Sequence, residues 1–142
     1  MSVRAREVKG LKKKSGEFLE GGKRALDAGQ FDLSCFLYEQ SLQLFLKADL
    51  LAKAGDFPRT HSLRELLGEF REGVPQVGSF VRRNRARISS LEDAYVLARY
   101  SGKEYSKEDA ADAARLCDEV MRLVGGDKRA GTKVRPRGGG GA

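Results

Sequence analysis

Ala110, Ala113, Ala114, Cys117, Val120, Met121 and Val124 follow one another at three- and four-residue spacing. That stripe lies along one side of an α-helix, whereas on a strand it would scatter over both faces. Ser106 and Asp109 stand just before it in the S-x-x-[DE] arrangement that satisfies the free amides of a helix start. The same period recurs upstream. Val8, Leu11, Phe18, Leu19, Ala25 and Leu26, with the small residues Ser15 and Gly22 in the same stripe, predict one long helix between Ser2 and Ala28. Gly29 is suited to a left-handed cap after it, and Asp32 to accepting the first amides of the next helix.

That second helix, about 32–54, is apolar on almost every side, with Phe45, Leu46 and Leu50 in excess of one packing face. A homodimer seam is the expected use for the surplus, and the alternative is a central helix covered by the chain's own neighbours. Gly55 and Pro58 end it. Ser62 and Glu65 form a second capping box before Leu63, Leu66, Leu67 and Phe70, and Gly73 with Pro75 closes the third helix. A weaker helix is expected from Gln76 to Ile88. Ser89 with Glu92 then predicts the start of a further short one, to about Arg99. No stretch alternates with period two, so the fold class is all-α, an antiparallel up-and-down bundle of four principal helices plus a short helix.

A chain of 142 residues suffices for one domain. The expected division is a helical domain over 1–124 and a basic, glycine-rich, disordered tail over 125–142. A formal net charge of +7 favours acidic partners such as nucleotides, RNA or DNA, or an acidic protein. No apolar run reaches the roughly 18 residues needed to span a bilayer, and no apolar segment of a secretory signal follows the basic N-terminus. No membrane association and a cytoplasmic location are therefore expected. Cys35 and Cys117 fall on helical stripes and read as small core residues, with no second histidine or CxxC spacing to make a metal pair. No metal or cofactor is expected.

Several residues carry a more specific likeness. Gly29 precedes a helix rich in leucine and aromatics that bears Lys47. The Pro58 to His61 turn leads into Leu63 to Leu67, and Arg99 with Tyr100 stands ahead of Tyr105 and the "KEDA" helix start. From about Lys9 to Val124 the chain resembles the HEPN family, named for higher eukaryotes and prokaryotes nucleotide-binding. The resemblance implies an antiparallel helical bundle, commonly dimeric, with a groove for nucleotides or RNA. It also implies work beside a small nucleotidyltransferase in two-protein modules of toxin–antitoxin type. Ribonucleases of the family use an arginine and a histidine with four to six residues between them. No histidine follows Arg99 here, and Ala54, Gly55 and Asp56 occupy the places five to seven before His61. The departure argues against catalysis and leaves a binding protein as the leading expectation. A metal-independent ribonuclease with a non-standard site, or a protein-interaction module, is the alternative.

The candidate residues follow from charge and chemistry. His61, the only histidine, is either a helix-entry residue or a ligand for phosphate or base. Lys47, Arg64, Arg99 and Tyr100 are candidates to hold phosphate oxygens and stack on a base if they converge. Arg82, Arg83, Arg85 and Arg87 place four guanidinium groups within two expected helical turns and are candidates for nucleic-acid backbone contact.

Overall fold

The computed structural model describes residues 1–125, and every regular element among them is helical. Six helices follow in order: α1 (Val3–Asp27), α2 (Phe31–Ala54), α3 (Leu63–Gly68), α4 (Gln76–Arg83), α5 (Arg85–Tyr100) and α6 (Lys107–Gly125). Four long helices, α1, α2, α5 and α6, make the bundle; the helix expected to be short is the long α5, and α3, expected to run to Gly73, is instead one of two short ones. The segment beyond 125, expected as the basic tail, lies outside the described residues.

α2 is the centre of the molecule. It packs against α1, α3, α5 and α6, which explains why its sequence is apolar on nearly every side. Leu42, Leu46 and Leu50 have almost no exposed surface. Phe45 packs on the core and meets Gly125, whose missing Cβ leaves the room its ring fills. Leu46 and Leu50 are therefore not available to the homodimer seam expected from Phe45, Leu46 and Leu50, because the chain's own helices cover them, while Phe45 is partly covered. Leu63, Leu66, Leu67, Phe70, Ile88, Leu116 and Val120 complete the core around α2.

α1 approaches α2 through small residues. Ser15 Oγ donates to Ser41 O at 2.8 Å and Ser41 Oγ donates back to Ser15 O at 2.8 Å, a reciprocal pair inside the crossing. One heptad along each helix, Ser34 Oγ donates to Gly22 O at 2.8 Å, and the Tyr38 ring lies against Gly22. The turn between them is a Schellman cap. Gln30 N donates to Ala25 O, Gly29 N donates to Leu26 O, and Gly29 takes φ +76°.

Two expected helix starts differ from the structure. Asp32 lies inside the first turn of α2, and its Oδ1 accepts the amide of Tyr105 at 2.7 Å, tying the α5–α6 loop to the central helix. α5 begins at Arg85, directly after Asn84, and runs through Ser89 without a break. Glu92 instead reaches the start of α3, where its Oε1 accepts from Ser62 Oγ (3.0 Å) and Arg64 N (3.4 Å). The Ser106–Asp109 box forms as expected, each residue's amide donating to the other's side chain.

Candidate functional site

Glu39, Gln43 and Lys47 stand four residues apart and so share one face of α2. Glu39 has no exposed surface. Gln40 Nε2 donates to its Oε1 at 2.8 Å and Gln43 Nε2 donates to its Oε2. Gln43 therefore turns its Oε1 outward, and that single oxygen accepts from Lys47 Nζ (3.3 Å) and from His61 Nδ1 (3.2 Å). Because Oε1 can only accept, His61 Nδ1 carries a hydrogen, and whenever the ring is neutral its lone pair lies on Nε2. Tyr95 Oη stands 3.3 Å from Nε2 as donor, and the two rings stack with centroids 4.4 Å apart.

The loop that delivers His61 is locally braced. Thr60 N donates to Pro58 O and Ser62 N to Thr60 Oγ1, while Ser62 Oγ accepts Glu65 N as the cap of α3. His61 is thus the residue before a cap, as its sequence position suggests. It is nonetheless exposed and bonded to a side-chain amide and a phenol.

Tyr95 continues the array along α5. Arg99 Nε donates to Tyr95 O at 2.8 Å, and its guanidinium lies 4.7 Å from the Tyr95 ring centroid, 4.7 Å from Tyr100 and 4.9 Å from Phe36. Three rings thus surround this exposed cation. Among the described residues it has no carboxylate partner, where a carboxylate pairing would have made it structural. Tyr100 leaves 75% of its surface exposed. On the other side of His61, Lys47 and Arg59 both stand over Phe57, at 5.7 and 5.2 Å. An open cleft of about 410 Å³ adjoins the stacked pair, lined by His61, Ser62, Glu92, Asp93, Tyr95, Val96 and Leu97.

Electrostatics set this face apart. Burial pushes the Glu39 carboxyl up to about 7; the Gln43 and Gln40 hydrogen bonds pull it down, Glu92 adds to the rise and Lys47 opposes it. Burial also lowers Lys47, against the attraction of Glu39 and with the repulsion of Arg59.

Of the residues singled out in the sequence, Lys47, His61, Arg99 and Tyr100 belong to one connected array. Arg64 adjoins it through its backbone, and its exposed side chain makes no ion pair among the described residues. Sequence reasoning missed Glu39, Gln43 and Tyr95; the i, i+4, i+8 spacing of Glu39, Gln43 and Lys47 was the available signal for the first two. The arginine run does not lie on one helix. Arg82 and Arg83 end α4, Arg85 and Arg87 begin α5, and Asn84 breaks the turn between them. Arg87 bonds Asp112 through Nε and Nη2 and Glu119 at 2.8 Å, so it ties α5 to α6. Arg82, Arg83 and Arg85 are exposed and make no ion pair among the described residues.

Against known proteins, the family model described as HEPN domain matches residues 8–128. Among solved structures, the crystal structure of TT1696 from Thermus thermophilus is similar with a TM-score of 0.68 at 21% identity. The match covers 80% of this chain and 92% of that one, and at this identity it speaks for the fold alone. Comparison with curated proteins gives no match. With the bundle in place and the family model spanning nearly all of the described residues, the chain belongs to the HEPN domain family.

Proposed function

We propose that this protein binds nucleotide units, free or within RNA, on the face formed by His61, Tyr95, Arg99 and Tyr100. The carrying observation is the exposed guanidinium of Arg99 set among three rings, with no carboxylate among the described residues to neutralise it. An unpaired base stacks on such a surface, and the guanidinium is free to take a phosphate oxygen. Lys47, which shares the Gln43 oxygen with His61, and Arg64, whose amide bonds Glu92, are further cations near this face, and Arg82, Arg83 and Arg85 extend the backbone contact. The role beside a small nucleotidyltransferase in a toxin–antitoxin-like module is part of this proposal, supported by family membership. Homodimer assembly is part of it too, with a seam that does not use Leu46 or Leu50.

Filter binding of single-stranded RNA and of nucleoside triphosphates at low salt tests the reading. Arg99→Ala and Tyr95→Ala are each expected to weaken binding about tenfold, as loss of one stacked base or charge-assisted bond implies. Unchanged affinity in both variants, or no binding by the unaltered chain below millimolar concentration, removes it. A second reading, a metal-independent ribonuclease, draws on the exposure of His61, whose Nε2 would take a 2′-hydroxyl proton once the substrate displaces the Tyr95 hydroxyl. Labelled RNA cleaved equally by the unaltered chain and by His61→Ala excludes that role.

A further inference from the structure

The bonds from Glu39 to the surface form an unbroken series in which each donor and acceptor is fixed by the one before it. Glu39 accepts twice, from Gln40 and Gln43. Gln43 must then present oxygen to His61 and Lys47, His61 must carry a hydrogen on Nδ1, and with the ring neutral Tyr95 must donate to Nε2. The carboxyl end is sealed in the core and the imidazole end is exposed. We propose that Glu39 is a positioning residue whose proton, acting through the orientation of the Gln43 amide, decides which nitrogen of His61 carries hydrogen. The proposal rests on the binding reading only for its consequence at the ligand, not for the switch itself.

The protonated state has the opposite polarity. When Glu39 Oε2 takes a proton from water it becomes a donor, and the Gln43 amide rotates so that its oxygen accepts that hydrogen. Its NH2 group then faces His61 and can only donate. His61 releases its Nδ1 hydrogen to water and gains one on Nε2, and the Tyr95 hydroxyl turns to accept. The net change is one proton, held by Glu39. Lys47, which shares the Gln43 oxygen, loses its acceptor and turns toward solvent.

The groups that face Glu39 come from every side. Lys47 stands on α2, Glu92 approaches from α5, Cys117 from α6, and His61 from the loop through Gln43, with Arg59 beyond Lys47. The carboxyl titrates at about 7, so both polarities are reachable near neutrality. With Glu39 charged, the Nε2 lone pair suits a donor such as a ribose hydroxyl that takes the place of the Tyr95 hydroxyl. With Glu39 neutral, Nε2–H suits a phosphoryl oxygen in that same place.

A single histidine makes the experiment unambiguous. Imidazole 15N shifts and couplings are recorded on the ligand-free chain, at a pH where they show a neutral ring. The unaltered protein above the Glu39 titration is expected to be the Nδ1–H tautomer. In Glu39→Gln the new amide oxygen keeps accepting from Gln40, its NH2 takes the place of Oε2, and His61 is expected as Nε2–H. Gln43→Leu, which severs the relay and leaves Glu39 in place, is expected to give one tautomer mixture on both sides of the Glu39 titration. The same tautomer in the unaltered chain and Glu39→Gln, with helical circular dichroism intact in both, overturns the proposal. So does a tautomer that still follows Glu39 in Gln43→Leu. Inorganic phosphate then serves as probe, expected to bind Glu39→Gln several-fold more tightly than the unaltered chain at that pH. Failure of RNA binding leaves the ligand-free tautomer result standing, so the two readings fall separately.

Discussion

A carboxyl group with no exposed surface, as at Glu39, ties proton uptake to folding. Its proton is held up to about 7 in the folded chain against an ordinary value of 4.5. The folded state therefore retains a proton that the unfolded chain has already lost between those limits. The associated stability is fully present below about 4.5 and is lost as pH rises through about 7. The difference is on the order of 3 kcal/mol. Urea unfolding at pH 5 and pH 8 is expected to show that loss in the unaltered protein, and a loss smaller by about that amount in Glu39→Gln; equal losses would mean that Glu39 is not the titrating group. Nothing in the local sequence announces a charged residue at the core, since Glu at a helical position ordinarily faces water. Its neighbours in sequence, Tyr38 and Gln40, give no sign of the surrounding α5 and α6. His61 was legible as the residue before a cap, but its partners Gln43 and Tyr95 lie 18 and 34 residues away and only the folded chain unites them.

At the scale of elements, the reciprocal Ser15–Ser41 bonds carry the α1–α2 crossing. Ser41→Val removes the hydroxyl that donates to Ser15 O, while the Ser15 hydroxyl keeps its acceptor, the backbone carbonyl of residue 41. The variant is expected to cost about 1 kcal/mol in urea unfolding; a change below a few tenths would remove the pair from the account of stability. Gly22→Val is expected to destabilise as well, because even a Cβ would stand 3.1 Å from the Tyr38 ring. The small residues of α1 were readable from their place in its apolar stripe, and α2's wide apolar surface signalled either a seam or a centre. What sequence could not decide was which neighbour would claim a capping group. Asp32 and Glu92 both had plausible local amides, and both satisfy amides from another part of the chain because tertiary packing brings those closer. Ser106 and Asp109 have no such competitor, and their box formed as written.

Across the whole molecule, the net charge of +7 is used in two ways. Arg87 is consumed inside the bundle. Its guanidinium is pushed above the ordinary range by the hydrogen bond to Asp112, with burial opposing and Glu119 reinforcing. Arg87→Ala is expected to lower stability by about 1 kcal/mol, since the ion pairs are partly exposed, and to leave RNA affinity nearly unchanged. Replacing Arg82, Arg83 and Arg85 together by alanine is expected to do the reverse. Stability should hold, and the slope of log K against log salt for single-stranded RNA should shrink by about 2. A slope unaltered by the triple substitution takes these arginines out of the proposed contact. Sequence alone grouped all four, because only the α5–α6 pairing distinguishes the one that faces acid groups. No described helix is long and apolar enough to cross a membrane, in line with a chain whose charge is distributed over helix surfaces.

Cys35 and Cys117 are both buried and unbridged. Burial, reinforced by Asp109 and Asp32, pushes the Cys35 thiol up to about 12, and burial pushes Cys117 upward as well, its Sγ donating to Tyr38 O. Alkylating dyes attack thiolates, so the native sulfurs should stay silent while the bundle is intact. Gly102→Cys, exposed and two residues beyond Tyr100, adds the sole reactive handle, and a fluorophore hung there reports occupancy of the neighbouring aromatic face with no background to subtract.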